Sequence, residues 1–344
     1  LTRAWVLAAD AGHRRFRRAR RHPKRAQEKR RRAIIRQASK AEYGRLHELD
    51  DVSSVAQFRR RVPERRADDF RPFVDRIRTG ARGVLTAARV ERLLPTSGST
   101  TAPKLVPVTR PLRSEFRAAI DPWIVDMHTQ HRTLRGGSAY WSVSPAFETD
   151  VVSSVPVGFE SDASYLGVLA PLAQRVFAAP AALRGVRPLG TFQYATLLTL
   201  LRRADLRLIS VWHPSFFTLL WASRTAVLSG GTTAWAQLVE DVRTGACSAV
   251  FDEDVPNDVR RACTSEPDRA RPDRLRSPGV AARPAAVWPQ LRVVSARADG
   301  APAGPARALA PIAPPAAPAP PPPVSPARFA PLRIRARPLP PVAS

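Results

Sequence analysis

Residues 93–109 read LLPTSGSTTAPKLVPVT. Thr96, Ser97, Gly98, Ser99, Thr100 and Thr101 fill six consecutive positions, and Lys104 follows Pro103. A run of Ser/Thr and Gly ahead of a lysine supplies what a phosphate group needs. Glycine lets the backbone come close and present its N–H groups. The hydroxyls donate to phosphate oxygens and the ammonium neutralises charge on a β- or γ-phosphate. Each charge-assisted bond of this type contributes roughly 1.5–3 kcal/mol. The spacing is not that of a Walker A loop, G-x-x-x-x-G-K-[ST]. From composition alone, a solvent-exposed Ser/Thr loop fits the stretch equally well.

Other residues with chemical potential are scattered. His128 and His131 stand three apart without a third ligand, so they read as a polar helix end. Cys247 and Cys263 lie 16 positions apart with no C-x-x-C, which suggests neither a disulfide framework nor a zinc site. Both read as ordinary thiols of a reducing cytoplasm. None of the six histidines has a recognisable catalytic setting, so no general base is assigned.

The elements that must position the opening stretch follow from periodicity. Residues 12–40 are rich in helix formers, broken once at Pro23. Residues 53–79 suggest short helices, with Ser53 or Ser54 as a cap and Pro63 as a stop. Phe116, Ile120, Trp123, Ile124 and Met127 recur at helical spacing through Pro122. The runs SAYWSVSP (138–145), LRLISVW (206–212) and VWPQLRVVSA (287–296) read as strands, with helices before and after the second and over 235–243. This alternation predicts an α/β fold. Residues 252–285 lack periodicity and read as an irregular Arg/Pro-rich connector. Of the last 34 residues 13 are proline, so 311–344 read as a disordered or polyproline-like tail.

The chain has 344 residues, 44% of them hydrophobic, and a net charge of +26. Such a charge usually points to nucleic acid or another acidic surface. Here fifteen Lys and Arg sit in residues 1–40 against Asp10 and Glu28, which concentrates the excess at one end. A solvated basic helix explains that concentration, and a nucleic-acid patch is the alternative. Aromatic interleaving, which single-strand stacking would need, is poor. No apolar run reaches the ~18 residues of a membrane helix. There is no clean signal-peptide pattern either, and the expected location is the cytoplasm.

Read with its flanks, the stretch Thr96-Ser97-Gly98-Ser99-Thr100-x-x-Pro103-Lys104 resembles the phosphate-binding signature of acyl-adenylate-forming enzymes. RIRTGARGVLT, AYWSVSP, DLRLISVWHPSF and WPQLRVVSARADGAPAGPARALA follow the order seen in the auxin-responsive promoter family, the acyl acid–amido synthetases, and resemble its bacterial branch. The resemblance runs from near residue 1 to about 310. It implies ATP-dependent adenylation of a carboxylic acid, then attack by an amine or amino acid, with Mg2+ bridging phosphate oxygens. It implies that Thr96, Ser97, Gly98, Ser99, Thr100 and Lys104 cradle the ATP phosphates. Acyl pockets in such folds are apolar. Trp212, His213 and Phe216 are candidates for one, and an ordinary strand-to-helix turn explains them as well.

The resemblance divides the chain into a basic helical segment (1–45), a partial large domain (46–250), the connector (251–286), a further strand and helix (287–310) and the tail (311–344). Three departures stand out. Thr101 takes a position usually held by Gly, and Ala296-Arg297 stand where relatives have Cys-Trp. The glycine-rich strand ending in Thr-Glu or Ser-Glu, which would help hold magnesium, is not found after residue 310. The expectation is therefore an incomplete domain whose tail reads like a frameshift, and an inactive chain. A degenerate nucleotide- or acyl-binding module is a further alternative.

Overall fold

The computed structural model describes residues 2–95, 104–142, 153–158, 175–228, 231–248, 255, 257–296, 304 and 309. The chain divides into two compact units, Ala8–Val125 with Ala146–Glu160, and Leu1–Leu7 with Asp126–Pro145 and Ser161–Ser344.

The basic N-terminal stretch forms α1 (Thr2–Arg21) and α2 (Pro23–Ala38). The break falls at Pro23, which takes the first helical position because its missing N–H is not needed there. Part of the charge is internally matched. Glu28 accepts from Arg31 Nε at 2.8 Å and from Arg32 Nε at 2.6 Å. Arg14 pairs with Asp10 at 3.3 Å and Arg30 with Glu115 at 3.3 Å. The hydrogen bonds from Arg31 and Arg32 lower the Glu28 carboxyl to about 2. Because the folded value lies below the ordinary one, this interaction is complete above the usual carboxylate range and is lost as pH falls through about 2. A carboxyl-detected NMR titration is expected to find Glu28 still ionised below the usual carboxylate range. Titration of Glu28 within that range would refute the pairing.

Three short helices follow, α3 (Glu42–Leu46), α4 (Val55–Arg61) and α5 (Arg71–Arg78). Of the two candidate caps, Ser54 is the one used. Gln57 N–H donates to Ser54 Oγ at 3.1 Å, and Ser54 N–H donates to Gln57 Oε1 at 3.1 Å, a reciprocal capping box. The helix stops at Val62, the residue before Pro63, where the α conformation is disfavoured.

Strands β1 (Val90–Pro95) and β2 (Leu105–Thr109) form an antiparallel hairpin. Leu93 is fully buried and packs with Val74, Ile77 and Val84. On its other side β1 meets residue 157: Leu93 N–H donates to Pro156 O and Leu93 O accepts from Gly158 N–H, both at 2.9 Å. Among the described residues this leaves β2 at the edge, which is where Pro107 is tolerated. Helix α6 (Arg110–Gln130) starts directly after β2 and runs through Pro122. Its stripe is as expected at Ile120, Ile124 and Met127, all buried.

In the second unit, β3 (Ser138–Trp141), β4 (Leu206–Ser210) and β5 (Val293–Ser295) form a parallel sheet with β4 in the centre. An added parallel bridge joins Ala139 to Phe177. A parallel sheet covered on both faces needs near-continuous apolar strands, which explains why these three runs were readable from sequence. The remaining helices are α7 (Leu189–Leu201), α8 (Pro214–Ala222), α9 (Ala234–Thr244), α10 (Asn257–Cys263), α11 (Arg271–Arg276) and α12 (Pro284–Val287). Helix α7 has no polar face, because it lies within the core rather than upon it.

Two expectations are corrected here. His128 is not at a polar helix end. It is buried, with its ring edge-on to Trp5 at 6.3 Å. Stretch 251–286 is not structureless either, since α10, α11 and part of α12's packing fall within it. Val259, Cys263 and Leu275 are buried in the same core as α7. The reason is tertiary. The last carbonyls of α7 have no partner within the helix, and this stretch supplies donors. Arg271 Nε donates to Leu201 O, and Trp288 Nε1 donates to Leu200 O at 2.9 Å. Burial lowers Arg271 to about 10. A cation at a helix C-terminus also meets the negative end of its dipole.

Gly245 ends α9 with φ +79°, in the left-handed region. A Cβ there would collide with the Ser265 carbonyl oxygen, which passes directly over it. Gly245→Ala is therefore expected to cost about 2 kcal/mol or more, from backbone strain and the clash together. Urea unfolding measures this, and a change below about 0.5 kcal/mol would contradict the close approach. The 311–344 tail lies outside the described residues.

Candidate functional site

The phosphate-binding candidates sit on the β1–β2 hairpin. Thr96, Ser97, Gly98, Ser99 and Thr100 lie outside the described residues, as does Thr101. What is fixed is how their segment is held. Pro95 and Leu105 are paired across the hairpin, so the stretch from 96 to 104 leaves and re-enters at one place. Lys104 stands at that base, immediately before β2, and is exposed. Among the described residues it has no ion-pair partner, so its ammonium is available for an added anion.

The base is rigid for identifiable reasons. Leu93 and Val108 are buried beneath it. Thr109, 7% exposed, closes β2 and its Oγ accepts from Leu112 N–H at 3.4 Å. Arg113 in the first turns of α6 pairs with Glu91 of β1 at 3.2 Å. A cavity of about 420 Å³ lies in the same unit, lined by Gly80, Gly83, Thr86, Arg89, Glu91 and Ser154 among others. It opens at the start of β1.

Trp212, His213 and Phe216 belong to the other unit, at the carboxyl end of β4. His213 is the N-cap of α8. Its Nδ1 accepts from Ser215 N–H at 3.2 Å, which places the ring proton of the neutral form on Nε2. Capping thus gives His213 a structural account. Trp212 is 41% exposed, and Phe216 packs edge-on to Phe192 at 6.5 Å. An apolar cavity of about 230 Å³ in this unit is bounded by Tyr194, Leu197, Leu228 and Leu238, and the three candidates do not line it.

The structure adds residues that sequence reasoning passed over. Each strand of the parallel sheet ends in serine: Ser142 after β3, Ser210 in β4 and Ser295 in β5. All three are buried. The Ser142 and Ser295 hydroxyls have no hydrogen-bond partner among the described residues. In open α/β sheets, ligands gather outside the carboxyl ends of the strands. The signal was present as a repeated apolar run closed by serine, in SAYWS, LRLIS and LRVVS.

A third polar group lies behind α7. Asp241, 1% exposed, accepts from Tyr194 Oη at 2.8 Å, Ser248 N–H at 2.8 Å and Gln237 Nε2 at 3.1 Å. Burial and then the Asp241 charge hold the Tyr194 hydroxyl well above its ordinary value. The Arg202 guanidinium donates to the carbonyls of Cys263, Ala246 and Asp241, the last at 3.1 Å. Burial lowers Arg202. This network knits α7, α9 and α10.

Of the donors that ATP phosphates would need, Lys104 is exposed before β2, and the hydroxyls and glycine of 96–101 lie outside the described residues. For a metal the fit is different: among the described residues no group of three His, Cys, Asp or Glu could hold one. Among them, too, no helix is long and apolar enough to cross a membrane.

Residues 12–303 match the GH3 family N-terminal domain, the auxin-responsive family that the ordered motifs resemble. Among solved structures the fold is similar to GH3.15 acyl acid amido synthetase, at 18% identity and a TM-score of 0.59, over 79% of this chain and 47% of that one. It is likewise similar to AtGH3.15 acyl acid amido synthetase in complex with 2,4-DB, at 17% identity and a TM-score of 0.59, over 79% and 49% of the two chains. The chain therefore spans about half the length of these structures, an incomplete version of the mixed α/β fold. No curated protein gives a significant match.

Proposed function

The chain belongs to the GH3 family through that family's N-terminal domain, and on this premise we propose that it carries the nucleotide-binding part of an ATP-dependent acyl acid–amido synthetase. One observation supports the reading above others. Lys104 is exposed and unpaired among the described residues, just before β2, and ends the sequence stretch that resembles the phosphate signature and includes Thr96, Ser97, Gly98, Ser99 and Thr100. In this reading the segment binds the ATP phosphates, and a small-molecule carboxylic acid attacks the α-phosphate to give an acyl-adenylate and pyrophosphate. An amine or amino acid then takes the acyl group and releases AMP. Mg2+, carried mainly by the phosphates themselves, would offset their charge. Trp212 and Phe216 are proposed as apolar contacts for the acid, and Ser142 and Ser295 as hydroxyls at the strand ends from which ligands are approached.

The test is acid-dependent exchange of labelled pyrophosphate into ATP, run across aromatic and aliphatic carboxylic acids. ATP binding without acid-dependent exchange is the expected result, in keeping with the inactive chain expected from the sequence. Exchange with at least one acid, abolished without it, would show instead that this chain is active. No ATP binding at all would overturn the reading.

The exposed cations of α1 and α2 favour a second reading, binding of a polyanion such as nucleic acid. Pairing of Arg14, Arg30, Arg31 and Arg32 with acids removes part of that charge. Such binding would fall steeply with salt and disappear on deletion of residues 1–40.

A further inference from the structure

Cys247 and Cys263 stand 16 positions apart in sequence, yet the fold brings them together. Segment 245–248 turns back along the residues that follow α10. Ser265 N–H donates to Gly245 O at 3.0 Å, and the Ser265 carbonyl lies against the Gly245 Cα. One guanidinium, that of Arg202, holds the carbonyls of both Ala246 and Cys263. Cys247 packs against the core cluster to which Cys263 belongs. Cys263 is fully buried, while Cys247 is half-buried and so the more accessible to a small reagent.

From this juxtaposition we propose that Cys247 and Cys263 form a redox-active pair, closed to an intramolecular disulfide by a hydroperoxide. Access assigns the order of events. The peroxide oxidises the Cys247 thiol to a sulfenic acid and leaves as an alcohol or, from hydrogen peroxide, as water. The Cys263 sulfur then attacks the Cys247 sulfur, forming the S–S bond and expelling the hydroxyl as water with the Cys263 proton. Two electrons pass from the two sulfurs to the peroxide O–O bond. The disulfide would tie the C-terminal end of α9 to that of α10 across a loop of known ends. Reduction by a dithiol reverses it.

The proposal is independent of the nucleotide reading, and the unaltered chain tests it. The protein is treated with hydrogen peroxide, quenched, denatured and alkylated without reduction. The expected intact mass is that of the chain less two hydrogens, with no alkyl group added, and digestion yields one cross-linked peptide containing both cysteines. A melting midpoint raised by oxidation and restored by dithiothreitol is expected with it. Two alkylatable thiols after oxidation, a sulfinic acid on Cys247 beside a free Cys263, or a disulfide-linked dimer would each overturn the pair. Single substitutions then check the order. Cys263→Ser is expected to trap a dimedone-reactive Cys247, and Cys247→Ser to leave Cys263 unoxidised. The reverse pattern would overturn the assigned roles.

Discussion

Lys104→Ala is expected to weaken ATP binding about 10- to 100-fold, the effect of losing one charge-assisted bond of roughly 1.5–3 kcal/mol. The lysine is exposed and precedes β2 rather than packing within it. The same substitution should therefore leave the unfolding midpoint within about 0.5 kcal/mol of the parent. This separation makes the experiment clean, because a change in affinity cannot be ascribed to a damaged fold. Lys104→Arg keeps the charge but alters its shape and reach, and should restore part of the affinity. Isothermal titration with ATP reads all three proteins. Equal affinity in parent and alanine variant would remove Lys104 from the phosphate site.

Arg202→Ala is expected to produce the largest loss of stability, about 3–5 kcal/mol. Its guanidinium serves three backbone carbonyls in the protein interior. Removing it leaves the Ala246 and Cys263 carbonyls, from the turn after α9 and from α10, without a donor, while Asp241 O keeps only the Gly245 N–H. Arg202→Lys should recover only part of the loss, since a single ammonium cannot span three carbonyls held by a planar fork. Guanidinium unfolding followed by tryptophan fluorescence measures both. Trp221 and Trp288 report on the affected core, where they stand 5.6 Å apart. A loss below about 1 kcal/mol would show that the carbonyls find water and that the network is not structural.

What the sequence made legible follows the range of the forces involved. Helix α4 could be read to within a residue because its signals are local, namely Ser54 and Gln57 at one end and Pro63 at the other. The parallel strands were readable because burial on both faces leaves them mostly apolar, with Arg207 and the strand serines as the polar exceptions. The stretch around Arg271 was misread because its order is imposed from elsewhere. An arginine among prolines and acids looks like solvent-facing connector, and only the open carbonyls of α7 explain why it is buried. His128 was misread for a similar reason, since its partner Trp5 lies over a hundred residues away in sequence. Both cysteines are free thiols, as read, but the nearness of their segments was not legible, since a spacing of 16 says nothing about a turn at Gly245 that folds them together.

At the candidate site the balance differs. Lys104 and its hydroxyl neighbours could be singled out because phosphate chemistry restricts residue type and order within nine positions, and their role is the proposal made above. The hairpin that flanks them was not legible, since it depends on pairing of Pro95 with Leu105 and on the packing of Leu93. His213 was chosen for its chemistry, and its capping of α8 shows how a polar side chain at a strand-to-helix turn can be satisfied locally.

The most direct measurement is hydrogen exchange of the intact chain with and without saturating ATP, resolved over peptides spanning residues 85–115. The proposed account predicts protection concentrated in 96–109, absent in Lys104→Ala at the same nucleotide concentration. Protection confined to other peptides, or none at saturation, would contradict the assignment of this hairpin to the ATP phosphates.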